Sequence, residues 1–365
     1  MKKHRYIISG GGTGGHIYPA VAIAEELKER FPEAEFLFIG AKGKMEMEKI
    51  PQLGYNIKGL WISGIQRKFD LKNFLFPFKL IFSLFQSVAI MIKFQPSMAI
   101  GTGGFASAAA LKAASWLSIP TLIQEQNSYA GITNKWLAPG AKSICVAYEN
   151  MDAYFPKAKI KLTGNPIRLN LLNQKLSSEE AKRKLGLSTG KQAVFVVGGS
   201  LGSQRINEFI ADKLDWFQLR NIQVIWQTGQ LYYERYKDLE NDSVKILKYI
   251  EDMNLTYAAS DVIISRAGAG SVSELAIVGK PVLFIPSPNV AENHQVKNAE
   301  AIVDKDAALM LEERNLDKEF DDIMHKLTSD IELQENLSHN FKKLAKPNAT
   351  KEIVDEIERI EKLRS

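Results

Sequence analysis

Two side chains in the first half of the chain are placed where a proton could be moved. His16 ends the glycine-rich run at residues 10–15, and Glu125 follows a short apolar run at residues 121–124. An imidazole titrates near neutral pH, so it can take a proton from a hydroxyl or donate to an oxyanion. A carboxylate needs desolvation to become a comparable base. We expect one of the two to act in catalysis, and His16 is the preferred candidate.

Four glycine-rich turns each join a short apolar run to a segment with helical periodicity. They lie at residues 10–15, 101–104, 198–202 and 268–271. Such a turn lets a ligand approach backbone N–H groups, and the positive end of the helix dipole then points at it. Two turns in each half therefore indicate two similar α/β halves that face a phosphate-bearing ligand.

The first turn also contains the dinucleotide pattern Gly10-x-Gly12-x-x-Gly15. That pattern requires an acidic residue at the end of the second strand to bind a ribose. The second predicted strand ends in Ile-Gly-Ala-Lys, and Glu35 lies at its start. The sequence therefore argues against a nicotinamide cofactor.

Polar side chains follow three other predicted strands. They occupy residues 124–127 (Gln-Glu-Gln-Asn), 265–274 and 289–295. Ligands of α/β proteins bind at the carboxyl edge of the sheet, where these residues are expected. Ser271 and Glu274 have the spacing of a capping box, whereas Glu274 could equally bind a ribose diol, so both interpretations stay open.

Predicted strands alternate with predicted helices along the whole chain, which is typical of parallel sheets joined by crossover helices. Helices are predicted to begin near Pro19, Phe78, Ala106 and Ile132, and a last one spans 349–362. Strands are predicted at residues 6–9, 35–39, 98–100, 121–124, 143–146, 194–197, 224–227, 245–247, 262–265 and 282–285.

A chain of 365 residues is too long for one ordinary core, so two domains are expected. The boundary is predicted at the Thr-Gly-Asn-Pro sequence that begins at residue 163. This gives a domain at 1–163 and a second at 164–347. The C-terminal helix at 348–365 is expected to pack back on the first domain.

The composition is that of a soluble globular protein, with 45% hydrophobic and 24% charged residues. The single cysteine, Cys145, lies in an apolar run and is expected to be a buried thiol, which fits a reducing compartment. No signal peptide is predicted at the N-terminus. Residues 1–165 carry 20 Lys and Arg against 11 Asp and Glu, a net charge of +9, and the remainder carries −4. The basic half therefore favours an anionic partner.

The stretch at residues 74–94 is rich in aromatic and aliphatic residues. Lys79 and Lys93 bound an uncharged run of 13 residues, shorter than the roughly 20 that a spanning helix needs. Aromatic residues at 61–76 alternate with Arg67, Lys68 and Lys72. This mixture favours contact with an anionic membrane interface, and packing on the sheet is the alternative.

Taken together, the motifs resemble the bacterial MurG family of undecaprenyl-diphospho-muramoylpentapeptide β-N-acetylglucosaminyltransferases. Matching segments occur in order at residues 10–19 (GGGTGGHIYP), 101–105, 124–135, 164–168, 198–207, 265–274 and 285–299. The resemblance implies the GT-B architecture, an α/β fold with two Rossmann-like domains whose parallel sheets face a cleft. It also implies inverting transfer of N-acetylglucosamine from UDP-GlcNAc to the C4 hydroxyl of undecaprenyl-diphospho-MurNAc-pentapeptide (lipid I), which gives lipid II for peptidoglycan.

The same resemblance implies a set of site residues. Gly103 and Gly104 are expected at the acceptor diphosphate, Ile250 near the uracil, Glu274 at the ribose and Gln295 near the sugar. The UDP-GlcNAc contacts fall on Thr13, Gly14, Gly15, Asn127, Arg168, Ser200, Ile250, Ala269, Gly270, Ser271, Glu274 and Gln295. Two positions depart from the pattern: Gln124 stands where many members have histidine, and Gly270 where some have leucine.

The resemblance also implies a peripheral enzyme on the cytoplasmic face of the cell membrane. Its expected partners are UDP-GlcNAc, lipid I, the anionic membrane surface and other cell-wall synthesis proteins, with no nucleic acid and no cofactor. No metal site is predicted, and Asp304-Lys305-Asp306 is interpreted as a solvated loop. Two alternatives remain: another GT-B enzyme, such as a UDP-GlcNAc 2-epimerase or a different glycosyltransferase, and a non-catalytic nucleotide-sugar or lipid-binding module.

Overall fold

A computed structural model describes residues 4–64, 75–167, 176–199, 201–290 and 293–363. The chain divides into two compact units. The first comprises Met1–Ile167 together with Lys346–Ser365, and the second comprises Arg168–Ala345. Each unit is built on its own parallel sheet, as the alternation of strands and helices in the sequence predicts.

Strands and helices alternate along both units. The strands are β1 (Arg5–Gly10), β2 (Glu35–Ala41), β3 (Ile57–Leu60), β4 (Met98–Gly103), β5 (Thr121–Glu125), β6 (Ser143–Val146), β7 (Ile160–Leu162), β8 (Ala193–Val197), β9 (Gln223–Gln227), β10 (Val244–Leu247), β11 (Val262–Ser265), β12 (Val282–Phe284) and β13 (Leu309–Met310). The α-helices are α1 (Gly14–Arg30), α2 (Glu46–Gln52), α3 (Phe76–Phe94), α4 (Phe105–Trp116), α5 (Ile132–Leu137), α6 (Ser178–Lys184), α7 (Gln204–Leu219), α8 (Tyr233–Tyr236), α9 (Met253–Ala259), α10 (Ala269–Val278), α11 (His294–Val303), α12 (Leu316–Ser329), α13 (Ile331–Lys343) and α14 (Ala349–Lys362).

The strand order reverses once in each sheet. Over the described residues, the first sheet has the order β3-β2-β1-β4-β5-β6-β7, and the second has β10-β9-β8-β11-β12-β13. The reversal lies between β1 and β4 in the first sheet and between β8 and β11 in the second. A crevice forms at such a point because successive crossovers leave on opposite faces of the sheet, and ligands of α/β folds bind there. All four glycine turns follow these four strands.

The core of the first unit has one layer on each face of the sheet, as the period of two in its strands requires. Ile7 faces the alanine-rich helix α4, whereas Tyr6 and Ile8 face α1 and α14. The small side chains of α4 let that helix approach the sheet closely. Cys145 is fully buried in the layer beneath α1 and α14, which confirms the prediction of a buried thiol.

The C-terminal helix α14 packs on α1 within the first unit. Ile353, Ile357 and Ile360 are buried on one of its faces, as their spacing predicts. The Tyr6 hydroxyl donates to Glu361 at 2.9 Å, and burial beside this carboxylate raises the pKa of Tyr6 above its usual range.

Most predicted elements are confirmed, whereas strands β3, β7 and β13 and helices α12 and α13 were not predicted. Strands β3, β7 and β13 have two to four residues and little apolar alternation, so the sequence does not mark them. The prediction that the first helix begins near Pro19 is wrong, since α1 begins at Gly14 and Pro19 lies inside it. The glycines at 14 and 15 are part of the helix, although glycine is a poor helix former.

Helix α3 turns its most apolar face outward. Ser83, Ser87 and Met91 form its buried stripe, and the Ser83 hydroxyl donates to the Trp61 carbonyl at 3.0 Å. The outward residues Phe78, Ile81, Phe82, Phe85 and Ile92 are 53–70% exposed. By length and composition alone, this helix is also apolar enough to cross a membrane. Residues 65–74, including Arg67, Lys68 and Lys72, lie outside the described residues.

Candidate active site

The crevice of the first unit is bounded by the two glycine turns after β1 and β4. The Gly11 N–H donates to the Gly103 carbonyl at 3.3 Å, which ties the two turns together. Gly103 and Gly104 have φ angles of 107° and 90°, a region that favours glycine. A Cβ on Gly104 would lie 2.5 Å from the Gly11 carbonyl oxygen, so this approach also requires glycine.

Three helix N-termini at these turns are left without the usual side-chain caps. Among the described residues, the N-cap residues Thr13, Gly104 and Gly268 of α1, α4 and α10 make no side-chain capping hydrogen bond, and the first turns of these helices contain no acidic residue. Helix α6, away from the turns, has a complete capping box of Ser177 and Glu180. Uncapped N–H groups at a helix start are donors for an anion.

His16 lies in the first turn of α1, with its ring against Gly103. Its Nδ1 atom is 3.0 Å from the Gln126 Oε1 atom, and its carbonyl accepts from the Thr102 hydroxyl at 2.7 Å. A Cβ on Gly103 would lie 2.8 Å from the imidazole ring, so glycine at this position makes room for the histidine. The ring is partly exposed, and its position is fixed from two sides.

Behind His16 lies a cluster of buried amides formed by Gln124, Gln126 and Asn165, each at most 2% exposed. The Gln126 amide nitrogen donates to the Thr102 carbonyl at 2.8 Å and also contacts the Gln124 Oε1 atom. The Gln124 amide nitrogen donates to Asn165 Oδ1 at 2.9 Å, and Asn165 donates to the Gln126 carbonyl at 3.0 Å. Nothing in the sequence pattern predicts this closed arrangement.

Glu125 is buried, with 1% of its surface exposed, and both of its carboxylate oxygens accept hydrogen bonds. Oε1 accepts from the Asn127 backbone N–H at 3.0 Å and from the Asn127 amide at 3.3 Å. Oε2 accepts from the Gly131 N–H at 3.0 Å and the Asn134 amide at 2.8 Å. Glu125 therefore ties β5 to the loop that leads into α5.

A second buried carboxylate, Glu46, supports the first glycine turn from below. Its oxygens accept from the Gly12 N–H at 2.9 Å and the Ala41 N–H at 3.0 Å, and the residue is fully buried. A Cβ on Gly11 would lie 2.2 Å from this carboxylate, so the turn rests directly on it. Sequence analysis missed Glu46, because nothing in the local pattern distinguishes it from the exposed Glu48.

In the second unit, the turn after β8 packs against the backbone after β9. Gly202 has a φ of 78°, and a Cβ there would lie 1.9 Å from the Thr228 carbonyl oxygen. Ser203 caps α7 by accepting from the Ile206 N–H at 3.4 Å. The same Ser203 hydroxyl accepts from the Arg266 guanidinium at 2.5 Å.

Arg266 extends beneath this turn from the end of β11. It donates to the Ile285 carbonyl at 3.0 Å and pairs with Glu313, and only 8% of it is exposed. Burial lowers the pKa of Arg266, whereas Glu313 acts in the opposite direction. Arginine stays charged in proteins, so the site contains a fixed cation.

A cavity of about 450 Å³ opens at this edge of the second sheet. Its polar lining includes Arg205, Arg266, Ser287 and Gln295. The Gln295 Oε1 atom accepts from the Ser287 N–H at 2.9 Å, which leaves the amide NH₂ end of Gln295 as a donor.

Helix α10 begins at Ala269 with Gly268 as its N-cap residue. Ser271 is thus the third residue of the helix, and the capping-box interpretation of Ser271 and Glu274 is wrong. Asn298 supports the turn by donating to the Ala267 carbonyl at 3.2 Å. Ile250 follows β10 and is 5% exposed.

The predicted site residues thus fall into two groups. Those at the crevice edge of the first unit are Thr13, Gly14, Gly15, His16, Gly103, Gly104, Glu125 and Asn127. Those at the corresponding edge of the second are Ile250, Ala269, Gly270, Ser271, Glu274 and Gln295. Arg168 and Ser200 lie outside the described residues. Within the part of the chain that the structure describes, no group of three or more His, Cys, Asp or Glu side chains could hold a metal ion.

Both units match domains of one enzyme family. Residues 6–146 match the N-terminal domain of glycosyltransferase family 28, and residues 193–355 match its C-terminal domain. The fold and the paired crevices therefore define a glycosyltransferase with two Rossmann-like domains.

Full-length relatives narrow this class. The UDP-N-acetylglucosamine--N-acetylmuramyl-(pentapeptide) pyrophosphoryl-undecaprenol N-acetylglucosamine transferase of Flavobacterium psychrophilum is 58% identical over 358 residues, 98% of each chain. The crystal structure of Acinetobacter baumannii MurG superposes with a TM-score of 0.79 at 28% identity, covering 98% of this chain and 100% of that one. The chain belongs to this family of N-acetylglucosamine transferases.

The alternative enzyme class shares the fold. A UDP-GlcNAc 2-epimerase from Neisseria meningitidis bound to UDP-GlcNAc superposes with a TM-score of 0.66 at 14% identity, covering 98% of this chain and all of the epimerase. At that identity the likeness concerns the architecture alone, and the transferase relatives decide between the two classes.

Proposed function

We propose that the two crevices divide the substrates of one reaction, the transfer of N-acetylglucosamine from UDP-GlcNAc to the C4 hydroxyl of lipid I, which gives lipid II. The observation that carries this proposal is the pair of uncapped glycine turns at the two points where strand order reverses, in a chain of this transferase family. Inversion requires a base on the acceptor hydroxyl and stabilisation of the departing UDP.

The second unit is the proposed donor site. The N–H groups at Ala269, Gly270 and Ser271 would bind the diphosphate at the start of α10, where the positive end of the helix dipole favours an anion. Glu274, further along the same helix, would accept from the ribose hydroxyls. Gln295 would donate to the sugar through its NH₂ group, and the Ile250 backbone would meet the uracil.

Four residues of the first unit, Thr13, Gly14, Gly15 and Asn127, complete the donor set that the resemblance implies, and Arg168 and Ser200 belong to it as well. Gly103 and Gly104 are proposed to bind the acceptor diphosphate at the start of α4. Backbone N–H groups supply the donors in each case, because α1 and α4 begin without side-chain caps. The diphosphate charge is then met by helix dipoles.

His16 is the proposed base, and Glu125 is the second candidate. Both oxygens of Glu125 already accept from loop N–H groups, whereas the His16 ring is held at one nitrogen and partly exposed. In the proposed step His16 takes the proton of the C4 hydroxyl as its oxygen bonds to the anomeric carbon. The bond from that carbon to the UDP oxygen breaks, and UDP leaves with the electron pair.

Helix α3 is the proposed membrane contact. Its outward face carries Phe78, Phe82 and Phe85, and Lys79 lies near Trp61 with its Nζ 5.7 Å from the ring centroid. Aromatic and basic residues together suit the headgroup region of an anionic bilayer. This contact would support a peripheral position on the cytoplasmic face of the membrane, where the enzyme would reach a lipid-linked acceptor.

One incubation tests the function against both alternatives. The full chain is mixed with UDP-GlcNAc and a soluble lipid I analogue, and the products are separated by chromatography. Formation of the disaccharide together with UDP supports the proposal. Release of UDP with a 2-epimerised sugar would instead identify an epimerase, and binding without turnover would identify a binding module.

A further inference from the structure

The buried amide cluster behind His16 has a fixed direction. The Gln126 carbonyl is an obligatory acceptor, so the group that contacts it must be the NH₂ of Asn165, at 3.0 Å. The other end of that side chain, Oδ1, then accepts from the Gln124 NH₂ at 2.9 Å. The Gln124 Oε1 atom is left to accept from the Gln126 NH₂. A backbone carbonyl thus sets the orientation of three side-chain amides in turn.

Two further backbone groups give the same answer for Gln126. Its amide nitrogen lies 2.8 Å from the Thr102 carbonyl oxygen and 3.1 Å from the Gln124 carbonyl oxygen, and both can only accept. A flipped Gln126 would place its Oε1 against these oxygens in a buried site, without a donor. Burying such an unpaired acceptor costs about 1–3 kcal/mol. The end of Gln126 that meets His16 is therefore the oxygen.

We propose that Gln126 is a positioning residue that holds His16 in the tautomer with its proton on Nδ1. The Nδ1 atom lies 3.0 Å from an oxygen whose role as acceptor is fixed, so Nδ1 must donate. A neutral imidazole carries one proton, and Nε2 is then the nitrogen with the lone pair. Gln124 and Asn165 support this by holding Gln126 in place. Gly103 lies against the ring and has no side chain that would displace it.

This inference rests on the proposed function for its catalytic meaning, because it supplies the proton-accepting nitrogen that the C4 hydroxyl needs. It differs from a histidine held by a carboxylate in one respect: an amide carries no charge. The tautomer is set by geometry alone and persists as long as the amides stay buried.

The tautomer can be measured directly on the full chain without substrates. Long-range proton–nitrogen correlation spectra of protein labelled with ¹⁵N-histidine distinguish the two neutral tautomers, and the His16→Asn variant identifies the His16 signals. The spectra of the neutral imidazole are expected to show His16 protonated at Nδ1. A His16 protonated at Nε2 would overturn the proposal.

The Gln126→Leu variant tests the cause. His16 is expected to lose its preference for Nδ1, and kcat is expected to fall by about tenfold or more, since a misplaced base forfeits part of its contribution of about 10²–10⁴. The KM for UDP-GlcNAc is expected to stay within about twofold, which also shows that the protein is folded. A variant that keeps the Nδ1 tautomer would remove Gln126 from this role.

Gln223→Leu is the matched control. Gln223 is also a glutamine with 1% exposure, and it bonds both backbone groups of Ser188 in the second unit, at 2.7 and 2.9 Å. The substitution removes a buried amide that belongs to the second unit, whereas His16 belongs to the first. It is expected to leave kcat unchanged. If His16 shows the Nδ1 tautomer yet His16→Asn retains full kcat, the proposed base is wrong while the tautomer assignment stands.

Discussion

The two glycine turns that follow β1 and β8 occupy the same position in their sheets. They are held by buried side chains of different charge. The turn after β1 rests on a buried carboxylate, Glu46, which accepts from the Gly12 N–H. The turn after β8 is held through Ser203 by a buried guanidinium, Arg266, which pairs with Glu313. The first turn therefore rests on a carboxylate and the second on an ion pair, although both follow a strand at the point where the strand order reverses.

This difference teaches how one topology can serve two substrates. The second unit combines a polar cavity, whose lining includes the paired Arg266 and Glu313, with the glycine-led start of α10, where the helix dipole favours an anion. In the first unit, the buried carboxylates of Glu46 and Glu125 accept hydrogen bonds from loops. The histidine at this crevice, His16, is held by the neutral amide of Gln126. In the proposed function, the first crevice would therefore carry the proton chemistry and the second would bind most of the donor.

The largest effect is expected at His16. His16→Ala should lower kcat at saturating acceptor by about 10²–10⁴, the range of a general base. Glu125→Gln should lower the free energy of unfolding and leave kcat within about tenfold of its original value, since Glu125 mainly holds the loop that leads into α5. Steady-state kinetics with UDP-GlcNAc and a soluble lipid I analogue measure kcat for both variants, and urea denaturation measures the stability of Glu125→Gln. If kcat falls by less than about tenfold in His16→Ala, another residue is the base. The proposed division of roles between the two crevices would then be wrong.

The next effect is expected in the donor crevice. Glu274→Ala should raise the KM for UDP-GlcNAc by about 10- to 100-fold, since hydrogen bonds to a charged group are worth about 1.5–3 kcal/mol. The acceptor KM should change little. Donor KM values at saturating acceptor provide the measurement, and an unchanged value in a folded variant contradicts the ribose assignment.

Glu46→Gln tests the anionic support of the first turn. One of the two N–H groups that Glu46 accepts from would then face an NH₂ group, at a cost of about 1–3 kcal/mol in the free energy of unfolding. Urea denaturation monitored by fluorescence measures it. Glu48→Gln, on the exposed side of the same helix, is the control and should cost nothing measurable. Equal stabilities of the two variants would mean that Glu46 does not hold the turn.

The smallest effect concerns the outer face of the first unit. Phe82→Ser with Phe85→Ser should reduce binding to vesicles that contain phosphatidylglycerol by about tenfold, since two apolar side chains no longer enter the interface. Leu219→Ser with Leu231→Ser removes exposed apolar side chains from the second unit and is the control. Sedimentation with vesicles compares the pairs, and equal losses would leave α3 without a special role.

The sequence by itself determined the architecture, because periodicity and glycine turns are local signals. The strand–turn–helix junctions at residues 10–15 and 268–271 predict two crevices at the carboxyl edges of parallel sheets, and both sheets are parallel. The apolar run around Cys145 and the isoleucine spacing of α14 likewise predicted burial that the structure confirms. The short strands β3, β7 and β13 were not predicted, since they lack the continuous apolar run that marks short strands such as β11 and β12.

Tertiary structure alone decided which polar groups are held, and by what. Glu46 meets the Gly12 N–H across 34 positions, and Gln126 meets His16 across 110. Asn165 meets the Gln126 carbonyl across 39. No local sequence pattern predicts such pairs, because the sequence around each of these residues is that of an ordinary loop or helix. Whether a carboxylate is a base or an anchor, and which nitrogen of a histidine carries the proton, depends on partners that only the folded chain brings within 3 Å.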